Sequence, residues 1–117
     1  GISTRTVRAR TRRSARRLRG EKAEWAAALA GLLEAGVSTL RGDTARAIDR
    51  LQRSEALFDH ADMALHAAAA RRRRGELIGG AEGEQLIEAA DAWMRQQHVA
   101  SPERMVAMLA PGRFTAS

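Results

Sequence analysis

The chain has 117 residues and a formal net charge of +6, the size of one domain, so two independent cores are not expected. It contains no Cys and no Tyr, which excludes a disulfide framework, a thiol nucleophile and thiolate metal sites. Abundant alanine, two prolines and four aromatic residues, Trp25, Phe58, Trp93 and Phe114, favour helices over sheets. No apolar run approaches the roughly 20 residues that cross a bilayer, and the Arg-rich start lacks the apolar stretch of a secretory signal. A cytoplasmic location is therefore expected.

The charge is concentrated at the start. Residues 1–20 hold eight arginines and no acid, and the remainder carries 12 basic against 14 acidic groups. Lys22 is the single lysine, so the arginine excess is as well explained by a GC-rich coding bias as by phosphate recognition. Val7, Thr11, Ala15 and Leu18 recur at helical spacing and predict an amphipathic helix whose thin apolar stripe needs a partner. With no initiator Met before this pattern, the chain is expected to be a segment of a longer protein, with residues 1–20 an Arg-rich helix and residues 21–117 a helical module.

Gly20 and Glu21 are expected to end the first helix. Trp25, Leu29, Leu32, Leu33, Val37 and Leu40 then predict a second, with the large residues on one side. Gly42 suits the left-handed position that follows, and Asp43 or Thr44 suits the next N-cap. The third helix reads Ala47, Ile48, Leu51, Ala56, Leu57 and Phe58. Asp59 or Asp62 is expected to start a fourth, running through the alanines into Arg71, Arg72, Arg73 and Arg74, where basic side chains suit a C-terminus. Residues 79–83 read as a turn, and Leu86, Ile87, Ala90, Trp93 and Met94 as a fifth helix. Ser101 and Pro102 signal the start of a short sixth, ended by Pro111 and Gly112. Each helix has one apolar side and short loops, so the expected fold is all-α: antiparallel helical hairpins in an array of about six helices.

The spacing from Trp25 to Asp59 or His60 is about 34 to 35 positions, the tetratricopeptide period. Ala35 stands where two helices approach, Gly42 and Asp43 make the turn, Ala47 and Leu51 reproduce a second-helix spacing, and Ser54 is small where packing is close. No Tyr follows Ala35 and no Pro closes the unit at Asp59, so one degenerate repeat, or two, is discernible beside the alternative of an unrelated helical bundle. The residues from Phe58 through Arg72, then 75–80, then Ala90 to Met94, and finally 102–112 resemble the C-terminal end of large bacterial, myxobacterial-type signalling proteins. These join a serine/threonine kinase domain to an ATPase-like region and tetratricopeptide repeats. The resemblance covers roughly residues 25–114 and departs from the family at His66 and Arg74. It implies a terminal helical module without catalytic residues, any kinase or ATPase chemistry lying upstream, because the chain has no Gly-rich nucleotide loop, no His-Arg-Asp and no Asp-Phe-Gly.

The remaining motifs favour structural duties. Residues 79–83 follow a helix and lack the Lys of a phosphate loop. Asp62 and His66 share a helical face, yet two ligands do not define a metal site. Glu84 and Glu88 read as solvated, and Trp93, Met94, Met105 and Met108 as core before groove. Residues 71–74 read first as a helix end with solvated side chains. The expectation is thus a non-catalytic protein interaction or regulatory scaffold module, without cofactor or metal, acting on its own upstream domains or on another chain. Candidate partner contacts are Arg12, Arg13, Arg16, Arg17, Arg71, Arg72, Arg73 and Arg74. The alternatives are a basic nucleic-acid-binding domain, whose affinity would be strongly salt-dependent, and an oligomerisation module.

Overall fold

The computed structural model describes the backbone of residues 4–115, and side chains from Ala15 onward except those of Leu18 and Glu21. Five helices follow one another: α1 (Thr4–Leu40), α2 (Thr44–His60), α3 (Ala64–Ile78), α4 (Gly80–Gln96) and α5 (Pro102–Leu109). Among the described residues there is no strand, and no helix is long and apolar enough to cross a membrane.

One helix replaces the two expected before Arg41. Gly20 sits inside α1, exposed, with open space where a Cβ would stand. A lone glycine costs about 1 kcal/mol in a helix, too little to interrupt a run of Arg, Lys, Glu and Ala on either side. The expected total of about six therefore becomes five. At 37 residues and about 1.5 Å per residue, α1 accounts for most of the 62 Å long axis of the molecule.

Two of the turns were legible. Gly42 adopts φ +78° after α1, and Asp43 caps α2 by accepting from the Arg46 backbone amide at 3.2 Å. Ser101 does the same for α5, accepting from Arg104 at 3.4 Å, with Pro102 in the first turn. The start of α3 differs from expectation. Asp59 lies within α2, Asp62 takes a left-handed φ of +57° in the turn, and α3 opens at Ala64 without a side-chain cap. Residues 79–83 are not a turn either: Gly79 alone, at φ +68°, separates α3 from α4, and Gly83 belongs to α4.

Sequential helices pack antiparallel. Glu24 faces His60, Ala28 faces Ser54 and Glu34 faces Arg50, so one index falls as the other rises. The pairs Glu55 with Arg71 and Phe58 with His66 align α2 with α3, and Arg72 with Asp91 and Gly75 with Gly83 align α3 with α4. α3 is the centre, touching α2, α4 and α5, and its four consecutive alanines, residues 67–70, are all buried. A helix surrounded on several sides by close neighbours has room for methyl groups where one with a single neighbour has room for leucine.

Each hairpin depends on a close approach. In the first, a Cβ on Gly31 would overlap the Ser54 hydroxyl, and that hydroxyl donates to the Ala28 carbonyl at 3.0 Å. In the second, Gly75 and Gly83 meet backbone to backbone, and a Cβ on either would overlap the carbonyl oxygen of the other. Ala28, Leu32, Ala35 and Ser38 form the buried side of α1, while Trp25, Leu33, Val37 and Leu40 are 42, 68, 45 and 78 % exposed. The sequence placed the large residues on the core side. Of these, Leu32 is buried and Leu29 packs against the core, but Ala28, Ala35 and Ser38 make up the rest of the buried side, because the close approach at Gly31 leaves little room there, and the other four large residues are turned outward.

Candidate functional site

Two regions distinguish the surface: the outer face of α1, and the charged girdle of α3 with the C-terminal segment that crosses it.

Trp25, Leu33, Val37 and Leu40 form an exposed apolar run on α1, with Leu29 partly buried among them. Apolar residues exposed singly are ordinary, but a contiguous row on one helix marks a surface awaiting cover. The row ends in basic side chains in both directions. Toward the N-terminus α1 runs on past His60, the last residue of α2, and there Arg16, Arg17, Arg19 and Lys22 are exposed. Toward the C-terminus Leu33 and Val37 border a shallow cleft of about 600 Å³ shared with Ser38, three arginines, Arg41, Arg46 and Arg50, and two acids, Glu34 and Asp43. Arg50 is committed to Glu34 at 3.2 Å.

Arg71, Arg72, Arg73 and Arg74 lie inside α3 and not at its end, which corrects the reading of a solvated helix terminus. With four successive residues spanning about 300° around the helix, they point to several neighbours, and acids meet them. Glu55 of α2 accepts from Arg71 at 2.9 Å and from Arg74 at 2.7 Å. Arg72 donates to Asp91 of α4 at 2.8 Å and to Glu76 at 2.7 Å, with Glu103 of α5 at 3.8 Å. Arg73 donates to Glu76 at 2.9 Å. The Arg72 and Asp91 side chains are only 13 and 14 % exposed. Desolvation by itself lowers the Arg72 pKa, but hydrogen bonding to Asp91 and the charges of Asp91, Glu76 and Glu103 outweigh it and raise the pKa above its ordinary value. The network links α2, α3, α4 and α5. A buried ion pair offsets little more than its own desolvation, so the network adds directional contacts between helices more than net stability.

Arg73 has a further duty. Its Nε donates to the Ala110 carbonyl at 2.9 Å, and its guanidinium carbon lies 4.9 Å from the centroid of the Phe114 ring. Phe114 is 3 % exposed and reaches α1: a Cβ on Gly36 would stand 3.9 Å from its Cζ. Burying the ring, the charge-assisted hydrogen bond and the cation–π contact together contribute about 5 kcal/mol.

Of the eight candidate arginines, Arg12 and Arg13 lie outside the residues whose side chains are described. Arg16 and Arg17 are exposed on α1, and the four of α3 form the ionic girdle. The sequence reading missed the acids that receive them. Glu55, Glu76 and Asp91 carry no motif, although Arg72 and Glu76 at i,i+4 were a local sign.

Two of the three histidines make contacts between helices. His60 Nδ1 contacts Glu24 Oε2 at 2.7 Å across α1 and α2, and that hydrogen bond, with the Glu24 charge, raises the His60 pKa. His66 packs on Phe58 with centroids 5.1 Å apart, and burial lowers its pKa. Among the described residues no group of three His, Asp or Glu side chains is placed to hold a metal ion. Met94 is buried, Trp93 and Met105 pack on the core, and Met108 is exposed, so these four do not line one groove. Comparison with protein-family models, with curated proteins and with solved structures gave no match.

Proposed function

We propose that this chain is a non-catalytic protein–protein interaction module, a tetratricopeptide-like helical array acting in the cytoplasm as the regulatory or scaffolding part of a bacterial multidomain signalling protein. The observation that carries the reading is the uncovered face of α1, where Trp25, Leu33, Val37 and Leu40 stand in a row on the long helix. Its basic borders, Arg19 and Lys22 at one end and Arg41 and Arg46 at the other, select the chemistry of the partner. An amphipathic helix with an apolar stripe and acidic residues at both ends of it fits, the apolar part supplying affinity and the charges orientation and encounter rate. The repeat spacing and the resemblance described above support the wider context, since such modules present helix faces to their targets.

Photo-crosslinking in cells tests this. A photoreactive residue at Leu33 or Leu40 is expected to capture a polypeptide that the same residue at Glu84, exposed on α4, does not, and Val37→Glu is expected to abolish capture at Leu33. Equal capture at all three positions would end the reading. The exposed arginines of α1 favour a second reading, a nucleic-acid surface. Duplex DNA binding at 50 mM salt that falls by about three orders of magnitude at 200 mM would mark several phosphate contacts and replace the first.

A further inference from the structure

The buried stripe of α1, formed by Ala28, Leu32, Ala35 and Ser38, has a counterpart on the far side of the helix. Ala23, Ala26, Ala30, Leu33, Val37 and Leu40 are all exposed, and their spacings of three, four, three, four and three residues are those of a helix-pairing seam. At about 100° per residue, the centre of this seam lies roughly 160° from that of the buried stripe, so a helix laid on it clears α2. The seam also tapers, with three alanines toward the N-terminus and three larger side chains toward the C-terminus. Reversed upon itself, it is its own complement. Ala23 then meets Leu40, Ala26 meets Val37 and Ala30 meets Leu33, a methyl group opposite a larger side chain in every layer.

We infer that this seam is the interface of a homodimer, in which a second copy of the chain packs its α1 antiparallel to the first about a twofold axis between Ala30 and Leu33. Charge selects the direction. Residues 1–20 hold eight arginines and no acid, and Arg16 and Arg19 are exposed. A parallel copy would set the two basic stretches side by side. In the antiparallel register the two Arg16 positions are more than about 40 Å apart, several screening lengths in physiological salt. At each end of the seam Arg19 and Lys22 of one copy come level with Arg41 and Asp43 of the other, so the ends are mixed in charge and the apolar layers supply the affinity. A contact of about 26 Å along the helix is at the small end of specific interfaces, and a dissociation constant on the order of 10 μM is expected. The inference rests on the proposed function only in taking this face as one that receives a partner. It makes the free module a dimer, whose second copy a foreign helix has to displace.

The chain has no Cys, so single introduced cysteines report the register. Ala23→Cys and Leu40→Cys chains, mixed and oxidised at about 100 μM, are expected to join through a disulfide between positions 23 and 40. Neither chain alone should join to itself, because like positions lie about 25 Å apart in the antiparallel pair. Sedimentation equilibrium of the intact chain up to about 500 μM should show a monomer and dimer in exchange. Leu33→Glu, at a position 68 % exposed, is expected to weaken the dimer at least about tenfold with unchanged helical circular dichroism. Self-joined disulfides as abundant as the mixed product overturn the inference, as does an unaltered dimer in Leu33→Glu. An intact chain that stays monomeric throughout while crosslinking a foreign polypeptide at Leu33 overturns the dimer and leaves the proposed function standing. A dimer whose crosslinks at Leu33 hold only the chain itself supports the inference and ends the reading of a foreign partner.

Discussion

The two hairpins solve the same packing problem with different chemistry. In α1 and α2 the closest approach is small and neutral, Ala28, Ala35, Ala47 and Ser54 around Gly31 with Leu32 and Leu51 also buried, and Trp25, Leu33, Val37 and Leu40 of α1 are left outside. In α3 and α4 the seam is a glycine pair, and beside it the surface of α3 turns from alanine to arginine, Arg71, Arg72 and Arg74 meeting acids of α2 and α4 and Arg73 meeting Glu76 of α3 itself. One helix of each pair is therefore completed differently: α3 by its own chain on every side that carries charge, α1 on one side only. A helix covered all round contributes to the fold, and one half covered is available to something else.

The contrast is sharpest at the glycines. Gly75→Ala drives a methyl group into the backbone carbonyl of Gly83, and neither helix can move without disturbing the charged network beside it. A loss of about 3 kcal/mol is expected in urea unfolding. Asp91→Asn leaves Arg72 nearly buried with one strong acceptor fewer, and about 2 kcal/mol should be lost, whereas Glu34→Gln on the first hairpin, an exposed partner of Arg50, should cost less than about 0.5 kcal/mol. Equal losses would erase the distinction between the hairpins.

Gly31→Ala meets a side chain and not a backbone. The Ser54 hydroxyl can turn aside at the expense of its hydrogen bond, so about 1 to 2 kcal/mol is expected, and Ser54→Ala in the same chain should restore part of it, a non-additivity that the Gly75 and Gly83 pair cannot show. On the outer face, Leu40→Gln should change stability by less than about 0.5 kcal/mol, while lowering any association that depends on that face.

The smallest effect expected is from pH. His60 has a raised pKa because of Glu24, so its contact with α1 stabilises below the unfolded value of about 6.5 and is lost as pH rises through the higher folded value. His66 has a lowered pKa from burial, so the folded state loses stability as pH falls from about 6.5 toward the folded value. The two oppose each other. Glu24→Gln should remove the first alone, visible as a fall of the His60 pKa in an NMR titration while that of His66 stays.

How much of this was legible follows from the range of each interaction. Helical class, the caps Asp43 and Ser101, the left-handed Gly42 and the end of α5 are decided within a few residues, by propensity and by the hydrogen-bonding needs of helix ends. They were read from the sequence alone. The charge asymmetry was equally plain, being a matter of counting. What required the tertiary structure was what a neighbour fixes: that α1 buries Ala28, Ala35 and Ser38 beside Leu32 and exposes Leu33 and Leu40, that Gly83 crosses Gly75, and that residues 71–74 meet Glu55, Glu76 and Asp91. Periodicity finds the apolar side of a helix, but which side is covered depends on how near the next helix comes. Here the close approach at Gly31 and Ser54 is lined by small residues, and Trp25, Leu33, Val37 and Leu40 stay exposed.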